Sequence, residues 1–308
     1  MLTNILQSIG RTPLLRLNAL GADLPGTVWL KLENRNPGGS IKDRVAFHVI
    51  DKTMEWGDIE AGGTIVEATS GNLGIGIALV AAVRGLHCVL TMPDSMSVER
   101  RNLLHALGAE LVLTPAAEGM KGAIKVAEKL AEERNGLLFG QFSNPLAVEA
   151  HYLTTGPEIL ADSVGHMDVL VAGVGSGSSI TGTGRFLKEN IPGFKVMAVE
   201  PAESPVLSGG QAGRGQFRAL HPGPQPAGRD HPGAHGGGHG YGTPPDAPAG
   251  RVRGHLHRRQ RAGRPQRGRP SRDAGQEHRD LRLRYRRTLH VHAPVPSGLV
   301  FAGGPGAS

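Results

Sequence analysis

The 308-residue chain contains a single cysteine, Cys88. One thiol excludes a disulfide within the chain, and its place in the apolar run "HCVLTMP" reads as a core residue rather than a nucleophile. No apolar run approaches the roughly 20 residues of a membrane-spanning helix, and no signal peptide precedes the first strand, so a cytoplasmic location is expected. Another absence divides the chain: the last 113 residues, after Lys195, hold no Lys, no Asn and no Ile. Charge changes sign near the same place. Residues 1–213 carry 17 Lys+Arg against 22 Asp+Glu, whereas residues 214–308 carry 17 Arg against 5 Asp+Glu, so the net charge of +7 belongs to the tail.

What is present before that divide is regular. Short β-branched runs, "TVWLKL", "GTIVEAT", "HCVLTMP", "AELVLTP", "DVLVAGV" and "FKVMAVE", alternate with helical patterns such as "GNLGIGIALVAAVRG" and "KGAIKVAEKLAEERNG". Alternation of this kind builds βαβ units around a buried, mostly parallel sheet. Ligands of such folds bind at the carboxyl ends of strands, and three loops there carry unusual chemistry.

The first is "NPGGSIKDRVA", residues 36–46. Pro37, Gly38 and Gly39 end a strand, Ser40 can cap, and apolar residues at helical spacing follow. Lys42 thus stands at a strand-to-helix turn. A lysine there is ordinarily a solvated charge; here the backbone N–H groups and the helix dipole would lower its pKa and suit it to Schiff-base chemistry. The second loop is "EATSGNLGIG", residues 67–76, where Thr69, Ser70 and Asn72 can nest a carboxylate or simply cap a helix. The third is "VLVAGVGSGSSITGTGRFLK", residues 169–188. Gly175, Ser176, Gly177, Ser178 and Ser179 can wrap a phosphate with N–H groups and hydroxyls. A dinucleotide site competes, since Gly173-x-Gly175 follows a strand and Glu200 ends the next, but the third glycine of that fingerprint is missing. No Walker lysine follows, which excludes a P-loop.

An amine, a carboxylate nest and a phosphate cup at three strand ends are what pyridoxal 5'-phosphate and an amino-acid substrate require. The motifs "NPGGSIKDR", "EATSGN", "QFSNP", "HYLTTGPEI" and "VGSGSSITGTGRFLK", in this order from residue 1 to about 213, resemble the cysteine synthases (O-acetylserine sulfhydrylases). The resemblance implies a two-domain α/β architecture of the type II pyridoxal-phosphate fold, like tryptophan synthase β, with mostly parallel twisted sheets. Residues 41–147 would form the smaller substrate-side domain, and residues 1–40 with 148–213 the larger cofactor-binding one. It implies that Lys42 is the Schiff-base lysine and catalytic base, that Asn72 touches the cofactor's 3′ oxygen, and that Gly175, Ser176, Gly177, Ser178 and Ser179 hold its phosphate. Thr69, Ser70, Gly71, Asn72 and Gln141 would hold the substrate carboxylate, and no metal is expected. Leu73 departs from the family's usual threonine and Ser178 from its usual glycine. The implied reaction is β-replacement of acetate in O-acetylserine by sulfide. The implied partners are a second copy of the chain and serine acetyltransferase. Cystathionine β-synthase and serine or threonine dehydratase share the lysine loop and remain alternatives.

The tail fits none of this. Stretches such as "HPGPQPAGRDHPGAHGGGHGYG" read as low complexity, and the arginines permit a nucleic-acid-binding reading, although no specific nucleic acid is expected. A third reading is preferred, because residues with AT-rich codons vanish together while those with GC-rich codons accumulate, as a shifted reading frame in a GC-rich gene would produce. Residues 276–295 have synonymous codons whose shifted reading resembles the family's C-terminal strand and closing motif. Likewise "GHLHRRQ" can be reread as the family segment whose serine meets the pyridine nitrogen. The frame is therefore expected to be lost between Gln211 and about residue 255, leaving residues 214–308 as an irregular, mostly disordered tail and the large domain incomplete.

Overall fold

A computed structural model of the chain describes residues 1–19, 22–69, 71–202 and 207, and the backbone of residues 288–291 and 299–303. In chain order the strands are β1 (Leu14–Arg16), β2 (Thr27–Lys31), β3 (Thr64–Ala68), β4 (His87–Pro93), β5 (Glu110–Thr114), β6 (Leu137–Leu138), β7 (Val169–Gly173), β8 (Lys195–Pro201), β9 (Thr288–Val291) and β10 (Leu299–Gly303). The helices are α1 (Lys42–Glu55), α2 (Asn72–Arg84), α3 (Val98–Ala106), α4 (Gly119–Glu133), α5 (Leu146–Ala150), α6 (Gly156–Asp162) and α7 (Ser178–Asn190), with a π-helical turn over His151–Thr155 between α5 and α6. Each of the six β-branched runs expected from the sequence forms a strand.

Two sheets result. The order β5-β4-β3-β6 is parallel throughout, and all four of its strands lie within residues 41–147. The other sheet has the order β1-β2-β10-β7-β8-β9, with β7, β8 and β9 parallel and β1, β2 and β10 joined antiparallel. Parallel strands covered by helices on both faces must be apolar on both faces. Accordingly Ile65, Val66 and Ala68 of β3 and Val89, Leu90 and Met92 of β4 are buried. Val45, Ala46, Val49 and Ile50 of α1 follow the helical period and pack with Leu73, Ile77 and Ala81 of α2 in one core. Leu170, Ile180, Leu187 and Phe194 belong to a second core, built on the other sheet. Cys88 is buried in the first core, which pushes its thiol pKa up to about 12, so it is a packing residue as expected.

The tail departs from expectation at two places. β10 runs between β2 and β7, setting Phe301 opposite both Trp29 and Leu170, and β9 runs beside β8. The two strands read "TLHV" and "LVFAG", uncharged runs rich in strand formers. The arginines and glycines around them masked that signal. The rest of the region expected to be irregular lies outside the described residues.

Candidate active site

The lysine loop is built by short-range bonds. Gly39 adopts a positive φ of 81°, and the N–H of Gly38 donates to Asp43 Oδ2 at 2.6 Å, holding the turn against the first residues of α1. Ser40 Oγ accepts from the N–H of Lys42 at 3.1 Å, but the N-cap of α1 is Ile41, which makes no side-chain cap bond, so the expected serine cap is replaced by this local turn bond. Lys42 opens α1, and its Nζ donates across to Ser176 Oγ at 3.5 Å. Its pKa is lowered first by burial, with the charge of Glu67 acting in the opposite sense. Burial, rather than the helix terminus anticipated from the sequence, is thus the leading cause.

Ser176 belongs to the glycine-rich loop. The Ser176 and Ser178 hydroxyls, both buried, lie 3.0 Å apart, and Gly177 has φ 85°, a conformation L side chains rarely adopt. Gly177 precedes α7 with no side chain capping the helix, and a Cβ added at Gly175 would meet nothing within 4 Å. Uncapped N–H groups, two hydroxyls and open space beside a glycine fit a phosphate. Ser179 follows in the first turn of α7.

At the end of β3 the chain turns through Thr69, which is buried and whose Oγ1 accepts from the N–H of Gly71 at 3.3 Å. Gly71 precedes α2, again without a side-chain cap, and Asn72 opens the helix exposed. Among the described residues no side chain bonds the first N–H groups of α2 from the N-cap position, and a helix terminus of this kind suits an anion. Ser70 lies outside the described residues. Gln141 joins this group: its Nε2 donates to Ala68 O at 3.3 Å and to Glu67 Oε1 at 3.1 Å. Leu73, where the family usually has a hydroxyl, is buried in the core instead.

Two pairings are therefore direct, Lys42 with the glycine-serine loop and Gln141 with the end of β3. Glu67 is the group the sequence reading passed over. Its side chain is buried, contacts Gln141 and acts on Lys42, and its pKa is raised to about 7, first by burial and against the hydrogen bonds it accepts. A charged residue inside the otherwise apolar "GTIVEAT" was the available signal.

The remaining motifs brace this arrangement. Arg44 of "SIKDR" grips Glu158 of "HYLTTGPEI" with two bonds, Nη1 to Oε1 at 2.6 Å and Nη2 to Oε2 at 2.7 Å. It also donates through Nε to buried Glu33 at 2.7 Å. Gly182 lets α7 approach α5 and the π turn closely: a methyl there would run into the Val148 carbonyl oxygen of α5 and come 2.9 Å from His151 Cβ. Among the described residues no cluster of three His, Cys, Asp or Glu side chains could hold a metal, and no helix is long and apolar enough to cross a membrane.

A lysine amine aimed into an uncapped glycine-serine loop defines the class, and comparison with known proteins agrees. The family model described as pyridoxal-phosphate dependent enzyme matches residues 5–230, and the chain belongs to that family. It is 51% identical over 218 residues to the cysteine synthase of Staphylococcus aureus, a match covering 70% of each chain. Among solved structures it resembles O-ureido-L-serine synthase, with a TM-score of 0.69 and 41% identity over 72% of each chain. It also resembles the O-acetylserine dependent cystathionine beta-synthase of Helicobacter pylori, with a TM-score of 0.64 and 39% identity over 69% of this chain and 70% of that one.

Proposed function

We propose that the chain is built to form L-cysteine from O-acetyl-L-serine and sulfide, with pyridoxal 5'-phosphate held on Lys42. The observation that carries the reading is the 3.5 Å contact between Lys42 Nζ and Ser176 Oγ, which joins the amine to the phosphate loop. When bound, the cofactor supplies a sink for the electron pair left at the substrate's α-carbon. The phosphate falls to Gly175, Ser176, Gly177, Ser178 and Ser179, and the 3′ oxygen to Asn72. Thr69, Ser70, Gly71, Asn72 and Gln141 take the substrate carboxylate, which turns the α-carbon toward Lys42. Burial keeps the Lys42 amine poised to lose its proton, so it serves as general base for the α-proton. The β-carbon–oxygen bond breaks and acetate leaves with the electron pair. Sulfide forms the new β-carbon–sulfur bond, and Lys42 returns a proton to the α-carbon.

The division into residues 41–147 and residues 1–40 with 148–213, a homodimeric state, docking of serine acetyltransferase and a cytoplasmic location complete the reading. The likeness to an O-acetylserine dependent cystathionine beta-synthase keeps one alternative open, a thiol amino acid in place of sulfide. Spectra of the reading-frame-restored protein with added cofactor provide the test. A visible absorbance band is expected in the parent and lost in Lys42→Ala; a band that survives the substitution refutes the lysine assignment. Turnover of O-acetylserine with sulfide is expected to exceed that of O-acetylserine, or of serine, with homocysteine, and the reverse order would favour the alternative.

A further inference from the structure

Glu67 lies where the carboxylate nest, the Gln141 loop and the lysine meet. Its Oε2 accepts from the N–H of Gly140 at 2.8 Å and its Oε1 from Gln141 Nε2 at 3.1 Å, so both oxygens of a buried carboxylate face N–H donors. Gly140 sits at φ 67°, and the N–H of Phe139 donates to Val66 O at 2.9 Å, so this loop is pinned to β3 on both sides of the carboxylate. Two donors on an acceptor-only group favour its ionised form, and a buried anion needs a cation near it. Among the described residues the charged group acting on Glu67 is Lys42 from α1. Asp43, next in sequence, is engaged elsewhere, with Gly38, Glu33 and Arg44.

We infer that Glu67 is a positioning residue: it fixes the Gln141 amide for the substrate carboxylate and is the internal counter-charge of Lys42. The inference rests on the assignment of Lys42 and Gln141 made above. It adds a function for the acid, because a cation gained at Lys42 when it takes the α-proton is stabilised by the carboxylate beside it. Burial sets the two groups against ionisation, lowering Lys42 and raising Glu67 to about 7, and each charge partly relieves the other.

The test uses the full 308-residue chain without added cofactor and reads the pH dependence of Lys42 labelling by an amine-reactive sulfonate, followed by peptide mass spectrometry. Glu67→Gln keeps the shape and removes the charge, and its labelling midpoint is expected to fall by about one pH unit. Glu67→Asp keeps the charge, and its midpoint should remain within a few tenths of a unit of the parent. An unchanged midpoint in Glu67→Gln with parent-like circular dichroism overturns the inference. Should Glu67→Gln fail to fold, the reciprocal measurement decides. In Lys42→Met the protonated-carboxyl infrared band of isotopically labelled glutamate should titrate at higher pH than in the parent, and an unshifted titration overturns the inference equally. Failure of the underlying lysine assignment reads out separately, as a visible band retained by Lys42→Ala when cofactor is added to the frame-restored protein.

Discussion

At the scale of single residues, the chemistry of this chain depends on charges held where water does not reach. Glu158 shows the balance. Burial alone would raise its pKa, but the Arg44 bonds and charge, the Arg11 N–H and Lys31 outweigh it and hold the carboxyl at about 2. A group whose folded pKa lies below its unfolded value stabilises the fold above the unfolded pKa and loses that contribution as pH falls through the folded one. Glu158→Gln is therefore expected to lower unfolding free energy by about 3 kcal/mol at pH 7 and by about 1.4 kcal/mol at pH 3. Urea unfolding at the two pH values checks this, and equal losses would show that packing rather than charge is at stake. Asp43 and Glu67 have the opposite sign. With folded pKa values raised to about 6 and about 7, their contributions are full below the ordinary carboxylate range and are lost as pH rises through those values. Lys42 and the glycine-serine loop were legible in the sequence because loops rich in Gly and Ser at strand ends interrupt periodicity. Glu67 was passed over, since a lone acid in "GTIVEAT" signals a buried charge without naming its partners, and only the fold shows that it bonds Gln141 and acts on Lys42.

At the scale of elements, the six strands of five to seven residues were legible because burial on both faces leaves continuous apolar runs, whereas α3 and α6 were not singled out. β1 and β6, of three and two residues, are too short for any period to register. The π turn was likewise invisible, although "HYLTTGPEI" was singled out by resemblance; its purpose emerges only when α7 is laid across it. Gly182 must lack a side chain because the Val148 carbonyl occupies the space. Gly182→Ala is expected to destabilise the chain by about 1–3 kcal/mol as an overpacked contact, measurable by thermal unfolding, and to loosen the glycine-serine loop that opens the same helix. An unchanged melting temperature would mean that α7 and the turn separate freely. The Arg44 clamp joins elements in a different way. It ties α1, which carries the lysine, to α6 and to buried Glu33, so removing the guanidinium leaves Glu33 buried without this cation and Glu158 with Lys31 as its remaining ion-pair partner among the described residues. Arg44→Met is expected to lose about 3–5 kcal/mol, far more than an exposed pair such as Lys129–Glu133 would.

At the scale of the whole molecule, the question is what the tail does to a sheet that needs it. The match to the Staphylococcus aureus cysteine synthase covers 70% of both chains, so two proteins of closely similar length share only part of that length. The family match ends at residue 230, soon after the charge balance reverses. The strand that an alternative reading frame would supply, within residues 276–295, and the segment bearing the pyridine-nitrogen serine lie outside the described residues, apart from Thr288–Val291. β9 and β10 do occupy places beside β8 and between β2 and β7, which any short uncharged strand can fill through backbone bonding alone. Side-chain chemistry is less forgiving. A strand position accepts many sequences, whereas a side-chain hydrogen-bond partner for a cofactor accepts few, so on the proposed shift of frame the tail would restore pairing without restoring the serine that the family resemblance assigns to the cofactor's ring. Returning the gene to the other frame between codons 211 and 255 is therefore expected to raise cysteine formation from O-acetylserine and sulfide by at least on the order of 10²-fold over the 308-residue chain, a single positioned proton partner contributing about that much. Both proteins should retain Lys42 labelling, because the lysine, its loop and Glu67 precede the divide. Equal activity in the two would mean that the arginine-rich tail is an evolved part of the enzyme, with β9 and β10 its native strands.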